Sequence, residues 1–216
     1  MRKTIAAAML LLLLTGCTVQ TKTAAPVTEP TEETVPWELV LVNADHPLPE
    51  DWETELVTLK NGVSVDARVY PELQEMFDAM RSDGIYPVAG EGYRTHEMQE
   101  QMMADKVSAF REEGCSRKEA EALAKEWVAE PGTSEHELGI ALDINADKTR
   151  SDNEEVYAWL AEHAYTYGFI LRYPEGAEEI TGIDYEPWHY RYVGKDAAAE
   201  IHQQGVTLEE YIAGRS

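Results

Sequence analysis

The amino-acid sequence predicts an α+β fold, a single domain with a small antiparallel sheet flanked by helices. Segments with helical spacing of apolar residues are mixed with short alternating segments, without a strand–helix–strand rhythm or an internal repeat. The composition, 44% hydrophobic and 27% charged residues, is that of a globular protein. Without the leader and tether described below, about 180 residues remain, which suits one core.

The first elements are predicted from periodicity and capping residues. Helical spacing of Leu73, Met76, Phe77 and Met80 predicts a helix that stops at residues 82–84, and the apolar run over residues 85–89 predicts a strand. Thr95 can cap a second helix, and we expect its apolar face to be core at Met98, Met102 and Val107. Ser116 and Glu119 form a capping box for a third helix, which we expect to reach about residue 129.

Later elements follow from the same two periods. Alternation of apolar residues predicts strands over residues 139–145 and 188–193. Helical patterns cover residues 156–167, 195–204 and 207–213. The strands are few and short, so a small sheet is expected.

The N-terminus has the features of an export signal. Arg2 and Lys3 precede an apolar run over residues 5–14 that is too short to span a bilayer comfortably. The next residues, Leu14-Thr15-Gly16-Cys17, resemble the lipobox of bacterial lipoproteins, in which the cysteine is diacylated and becomes the first mature residue. The alternative is plain secretion with an incidental cysteine. We expect residues 1–16 to be a lipoprotein signal peptide and Cys17 to anchor the protein at the extracellular face of the bacterial cell membrane.

A polar segment separates Cys17 from the folded body. Residues 18–36 are mostly Thr, Pro, Glu, Val and Ala without apolar periodicity, so they cannot bury enough surface to offset the entropy of ordering. We expect residues 17–36 to be the lipidated cysteine with a flexible tether, and residues 37–216 to form the folded domain.

Charge and cysteine content exclude some functions. Acidic residues outnumber basic ones 41 to 18, and the formal net charge of −23 would repel polyphosphate, so we expect no nucleic acid partner. The excess acid can simply keep the protein soluble. Cys115 lies between two helical patterns with no activating histidine beside it, so we expect a structural thiol.

Two segments could hold a metal ion. His136 precedes an apolar strand that contains Asp143, and a carboxylate buried there is costly unless a cation meets it. Imidazole and carboxylate suit zinc, which needs a third protein ligand at a catalytic site. His189 is the best supplier, and Glu186 before it could address a metal-bound water. From the residues alone the alternative stays open, because a histidine on an aromatic strand is usually a core residue and a buried aspartate usually finds a hydrogen-bond partner.

The same residues carry a family resemblance. The pattern Ser134-x-His136-x6-Asp143, followed by Glu186-x-x-His189, resembles the signature of the D-alanyl-D-alanine carboxypeptidase (VanY-like) family of zinc peptidases. Further segments match in order over roughly residues 60–205: Gly92-Tyr93-Arg94-Thr95 with Gln99, Pro131-Gly132-Thr133-Ser134, residues 168–174 and residues 186–194. Thr95, where serine is expected, and the acidic Glu91 depart from the family pattern.

The resemblance implies a role for each matching residue. The implied zinc ligands are His136, Asp143 and His189. Glu186 is the implied catalytic base, and Arg94 is the implied cation on the substrate side. Arg94 would contact either an oxyanion or the terminal carboxylate of the substrate. Substrate contacts are implied at Ser134, Gln99 and Tyr93, although a serine just before a ligand can equally shape the turn.

The implied activity is removal of the C-terminal D-alanine from peptidoglycan stem peptides, with Zn²⁺ as cofactor. The expected partners are the stem peptide and, through the lipid on Cys17, the membrane. We expect the protein to be a monomer. Alternatives with the same zinc and base are an L,D-carboxypeptidase or an endopeptidase on the same peptides. A wall-binding lipoprotein without turnover is a further alternative, although such a module has no need of a base at Glu186.

Overall fold

The fold is seen in a computed structural model that describes residues 35–215. The predicted signal peptide, Cys17 and nearly all of the predicted tether lie outside the described residues. The described residues group as one unit by their internal contacts. Over the described residues, no helix combines the length and the hydropathy that a membrane span requires.

Strands and helices follow one another along the described chain as an irregular mixture. The strands are β1 (Leu56–Thr58), β2 (Ser64–Asp66), β3 (Pro87–Glu91), β4 (Ala141–Ala146), β5 (Phe169–Leu171) and β6 (His189–Tyr192). The α-helices are α1 (Tyr70–Ser82), α2 (His96–Glu112), α3 (Arg117–Lys125), α4 (Asn153–His163), α5 (Glu178–Thr181), α6 (Lys195–Gln204) and α7 (Leu208–Ala213). In the described part of the chain, 3-10 helices cover Trp37–Leu39, Glu135–Leu138 and Ala164–Tyr167.

Within residues 35–215 the strands form two antiparallel sheets. Strands β1 and β2 make a hairpin, and the main sheet has the strand order β3-β4-β6-β5. In the main sheet Asp143 pairs with His189 across β4 and β6, and Glu91 pairs with Asp143 across β3 and β4. The prediction of an α+β fold with a small antiparallel sheet is therefore confirmed.

The main core lies between the four-stranded sheet and the helices α1 and α4. The predicted apolar face of α1 is buried, and it belongs to one core cluster with Leu142 and Ile144 of β4, Leu160 of α4, and Ile140 just before β4. A second apolar cluster holds α6 and α7 against β5 through residues such as Ile170, Val193, Ile201 and Leu208.

Helix α1 ends as predicted, but the strand after it starts later than residue 85. The backbone N–H of Ile85 donates to the carbonyl of Met80 at 2.9 Å, and Gly84 has a φ of +84°. Ile85 therefore closes the helix, and β3 begins only at Pro87.

The prediction for the second and third helices was partly wrong. Thr95 caps α2 and the capping box of α3 is present, yet Gln99 is the buried residue of α2 and Met98 is 49% exposed. Helix α2 packs chiefly against α3 instead of the sheet, so its apolar face covers no core. Helix α3 ends at Lys125 and not at residue 129. The carbonyl of Ala129 instead accepts a hydrogen bond from the side chain of Gln99.

The other predicted elements are present, and most of them have shifted ends. Helix α6 has the predicted bounds, Thr207 caps α7, and the predicted helix over residues 156–167 is α4 followed by a 3-10 helix. The sequence did not predict β1, β2, β5 or α5, each of three or four residues. Such short elements depend on their neighbours more than on local pattern. Cys115, between α2 and α3, is a free thiol.

Candidate metal centre

Three side chains that the sequence singled out converge at the middle of the main sheet. Asp143 Oδ1 lies 3.2 Å from His189 Nδ1 and 3.5 Å from His136 Nε2. One ligand atom from each residue can be chosen so that all three lie within 4.8 Å of one another. The side chains of the two histidines are 4% exposed and that of Asp143 is 14% exposed. The site is thus largely shielded from solvent.

Strand pairing and a tight turn bring these residues together. Asp143 on β4 is the direct partner of His189 at the start of β6. His136 belongs to the 3-10 helix that precedes β4, and this helix ends at Gly139 with a φ of +78°. Glycine adopts that conformation without the steric cost that other residues incur. The turn therefore returns the chain into β4 with His136 beside the strand.

The backbone carbonyl of Gly92 orients His136. It lies 2.8 Å from His136 Nδ1, so Nδ1 carries the proton and donates it, and Nε2 is left with a lone pair facing Asp143. Gly92 packs so closely that a Cβ atom built on it would be 2.3 Å from the Ser64 carbonyl oxygen. Metal-ligating histidines usually have such an acceptor for the ring nitrogen that does not bind the metal.

The donor set fits a divalent metal ion. Asp143 Oδ1 is buried and accepts no hydrogen bond, although two imidazoles lie beside it. A buried, unsatisfied carboxylate oxygen is costly unless a cation meets it. Burial raises the pKa of Asp143, but His136 and His189 outweigh this and hold that pKa well below its usual range. Two imidazole nitrogens and one carboxylate oxygen are the ligands of many catalytic zinc sites.

Glu186 stands beside this cluster in the loop before β6. Its Oε2 lies 3.6 Å from His189 Nδ1, and its side chain is 10% exposed. Burial raises the pKa of Glu186 to about 7, against the lowering effect of His189. A carboxylate that changes protonation near neutral pH is suited to transfer protons at that pH. The turn is closed by the N–H of His189, which donates to the Glu186 carbonyl at 3.1 Å.

Arg94 supplies a cation on the other side of Asp143. Its Nη2 lies 3.6 Å from Asp143 Oδ2, and its Nε lies 3.6 Å from Glu91 Oε2. Its Nη1 donates to the side-chain oxygen of Gln99 at 3.2 Å, while Nε is buried without a hydrogen-bond partner. The guanidinium thus retains donor capacity next to the cluster.

These residues open into a cleft of about 230 Å³. Its walls also include side chains that the sequence did not predict, namely Met102, Trp127, Val128, Tyr173 and Ile183. The Tyr173 ring packs on His189 with 4.7 Å between ring centroids. A larger cavity of about 420 Å³ lies between α4, α6 and α7. We take the smaller cleft as the candidate site because the three converging side chains line it.

The three predicted substrate contacts have different positions. Ser134 lines the cleft, and its Oγ accepts from the backbone N–H of His136 at 3.3 Å, so it also shapes the turn. Gln99 lines the cleft but is 1% exposed, and both ends of its amide are engaged within the protein. Tyr93 is not among the lining residues of the cleft. Its neighbour Arg94 takes the cleft side, while the Tyr93 N–H donates to Ser64.

Sequence reasoning also missed Glu135, which lies directly between two predicted site residues. Its side chain is fully buried and contacts two arginines. One signal could have pointed to Glu135: it is a charged residue in a segment of the chain that has no solvent-exposed face. A buried carboxylate in such a segment requires partners. Trp127 and Ile183 carried no such signal in the sequence.

The sequence profile of one protein family, described as D-alanyl-D-alanine carboxypeptidase (VanY), matches residues 62–195. The chain is 52% identical over 176 residues to a D-alanyl-D-alanine carboxypeptidase of Enterococcus faecalis. That match covers 82% of this chain and 66% of the relative, so the chain spans slightly less than two thirds of the length of that protein.

Two solved structures are similar over the whole of their own chains. One is a single-residue mutant of the vancomycin resistance D,D-pentapeptidase VanY from a VanB-type resistance cassette in complex with Zn(II), with a TM-score of 0.81 and 51% identity. The match covers 82% of this chain and 99% of that one. The other is VanYB in complex with D-alanine-D-alanine, with a TM-score of 0.82 and 50% identity, covering 84% and 100% of the two chains.

Proposed function

The chain belongs to the VanY family of D-alanyl-D-alanine carboxypeptidases, and we propose that it is a zinc-dependent carboxypeptidase that removes the C-terminal D-alanine from peptidoglycan stem peptides. The observation that carries the proposal is the convergence of His136, Asp143 and His189 next to Glu186. Similar structures contain Zn(II) in one case and D-alanine-D-alanine in another, which supports both the cofactor and the substrate class.

The zinc ion would be held by His136 Nε2, Asp143 Oδ1 and His189 Nδ1, the three atoms that face one another. When bound, zinc supplies a Lewis acid that polarises a peptide carbonyl and brings the pKa of a bound water to about 7. The protein keeps these ligands in position through the β4–β6 pairing and the Gly92 carbonyl.

Glu186 would act as the general base and then as the general acid. It accepts a proton from the attacking water and delivers that proton to the amine of the leaving D-alanine. Its position next to His189 places the carboxylate at the edge of the cluster. Its raised pKa reduces the free-energy difference between the two protonation states near neutral pH.

Arg94 would act on the substrate. It is the only lysine or arginine among the described residues that line the cleft. Its guanidinium can donate either to the oxyanion that develops at the scissile carbonyl or to the free carboxylate of the terminal D-alanine. Binding of that carboxylate would favour a carboxypeptidase over an endopeptidase, because an internal peptide bond has no free carboxylate next to it.

Cys17 would be lipidated, so that residues 17–36 tether a catalytic domain of residues 37–216 to the extracellular face of the membrane. The lipobox-like tetrapeptide that ends in Cys17 supports this. A Cys17→Ala variant expressed in a bacterial host should move from the membrane fraction to the soluble fraction. The enzyme would act as a monomer, without nucleic acid partners.

The activity is tested with synthetic stem peptides. Residues 18–216, loaded with zinc or treated with a chelator, would be incubated with the pentapeptide and the tetrapeptide, and the products identified by mass. We expect loss of one alanine from the pentapeptide only with zinc. Loss from the tetrapeptide alone would replace the proposal by an L,D-carboxypeptidase. A zinc-bound protein that cleaves neither peptide would contradict carboxypeptidase activity.

A further inference from the structure

A buried glutamate lies behind one of the proposed metal ligands. The Glu135 carboxylate is fully buried, and its Oε1 accepts from Arg172 Nε at 2.9 Å and from Arg191 Nη1 at 2.6 Å. Its Oε2 has no hydrogen-bond partner. That oxygen lies 3.9 Å from Nε2 of His189, a nitrogen that is also buried and also unpartnered.

The two histidines of the cluster face it with different ring nitrogens. His136 presents Nε2 to Asp143 and donates from Nδ1 to a backbone carbonyl. His189 presents Nδ1 to Asp143 and to Glu186, so its Nε2 points away from the cluster. A metal-ligating imidazole usually donates its other N–H to an oxygen that fixes its tautomer. Glu135 Oε2 is the oxygen placed for His189.

We propose that Glu135 is a positioning residue for His189: Oε2 of Glu135 accepts the proton on Nε2, which fixes the tautomer in which Nδ1 carries the lone pair for the metal. The proposal depends on the zinc site proposed above. A movement of about 1 Å brings the two atoms to hydrogen-bond distance.

The surroundings of Glu135 hold its carboxylate in this orientation. Arg172 also donates to Glu209 on α7 at 3.0 and 2.6 Å, and Arg191 donates to the backbone carbonyls of Glu38 and Val40. The two arginines are therefore fixed from behind, and both bind the same oxygen of Glu135. This leaves Oε2 directed at His189. The arrangement also satisfies the charge of a carboxylate that would otherwise be very costly to bury.

A purely structural ion pair is the competing interpretation, and Glu135→Gln separates the two. In this variant the amide oxygen is needed as the acceptor for the arginines, so the amide NH₂ faces His189 Nε2. Because an NH₂ group donates, it favours the tautomer with the proton on Nδ1, which has no lone pair for a metal there. A structural role alone predicts lower stability with normal metal affinity.

The matched control is Asp66→Asn. Asp66 is also a fully buried carboxylate bonded to an arginine, Arg68, but its side chain bonds Thr54 and Arg68 and not His189. Zinc affinity would be measured by competition with a chromogenic chelator, and unfolding of the metal-free proteins by thermal denaturation. We expect zinc affinity to fall 10- to 100-fold in Glu135→Gln and to stay within about twofold of wild type in Asp66→Asn. Loss of stability without loss of zinc affinity in Glu135→Gln would overturn the proposal.

A measurement on the unaltered protein covers the case in which Glu135→Gln does not fold. In the zinc-loaded wild type, nitrogen-15 NMR of the histidine rings should show His189 bound through Nδ1, with a slowly exchanging proton on Nε2. Ligation through Nε2, or rapid exchange of that proton, would overturn the proposal. Failure of the wild type to bind zinc would reject the metal site itself, which is a different outcome from normal zinc binding in Glu135→Gln.

Discussion

Arg94 donates from Nη1 to the side-chain oxygen of Gln99 at 3.2 Å, and the amide nitrogen of Gln99 donates onward to the carbonyl of Ala129 at 2.8 Å. Both ends of the Gln99 amide are therefore occupied, in a residue that is 1% exposed. Gln99 supports the cation of the cleft, which differs from the substrate contact that its motif implied.

Gln99→Ala should lower kcat/KM about tenfold, and Arg94→Ala should lower it on the order of a hundredfold or more. Because Gln99 acts through Arg94, the double variant should be no slower than Arg94→Ala alone. Gln101→Ala, an exposed glutamine on the same helix, is the control and should match wild type. Additive losses in the double variant would show that Gln99 contacts the substrate directly.

Glu186→Gln should slow hydrolysis on the order of a thousandfold while zinc remains bound. The amide has the shape of the carboxylate but cannot take a proton from water. Metal content by elemental analysis and product formation by mass spectrometry measure the two properties separately. Glu175→Gln, at an exposed position outside the cleft, serves as the control. Wild-type activity in Glu186→Gln would mean that another group is the base.

The same variant should change how the stability of the metal-free protein depends on pH. A glutamate carboxyl has an ordinary pKa of 4.5, and burial raises the pKa of Glu186 to about 7 in the folded state. Between these values the folded state binds more protons, so this group lowers the free energy of unfolding as pH rises. A glutamine does not titrate, so Glu186→Gln lacks this decrease in the free energy of unfolding. Its stability relative to wild type should therefore increase from pH 5 to pH 8. Urea denaturation of both proteins at pH 5 and pH 8 tests this. If the difference in free energy of unfolding between Glu186→Gln and wild type were the same at both pH values, the prediction would be contradicted.

Zinc affinity should increase with pH through the neutral range. Burial lowers the pKa of His189, but Asp143 and Glu135 outweigh burial and raise it to about 9 in the metal-free protein. Zinc must therefore displace a proton, which weakens binding about tenfold for each pH unit below that value. Calorimetry in buffers of different ionisation enthalpy should detect about one proton released at pH 7. Zinc affinity that is constant from pH 6.5 to 8.5 would show that His189 is already neutral.

Gly92→Ala should weaken both the fold and the metal site. The new Cβ would be 2.3 Å from the Ser64 carbonyl oxygen, so the backbone of residue 92 must move, and with it the carbonyl that accepts from His136. We expect a loss of about 2 kcal/mol in the free energy of unfolding and zinc affinity reduced at least about tenfold. Gly214→Ala, whose Cβ would be 3.4 Å from its nearest neighbour, is the control. Normal zinc affinity in Gly92→Ala would show that His136 does not need this carbonyl.

Local pattern predicted the elements whose structure is decided locally. Helix α1 and its end depend on apolar spacing and on Gly84, and the capping box of α3 depends on Ser116 and Glu119. The face of α2 was assigned wrongly to the core because helical spacing shows which residues share a face, not what covers it. Met98 is exposed because the neighbour of α2 is α3 and not the sheet.

The sequence by itself determined which residue types could form the metal site, because His136, Asp143 and His189 stand in recognisable motifs. Only the tertiary structure decided which atoms face the metal position and which groups support them. The register of β4 and β6 sets Asp143 opposite His189. The contacts of Gln99 with Ala129 and of Glu135 with Arg172 and Arg191 join segments far apart in the chain. No local pattern encodes such contacts, because they arise only when packing brings those segments together.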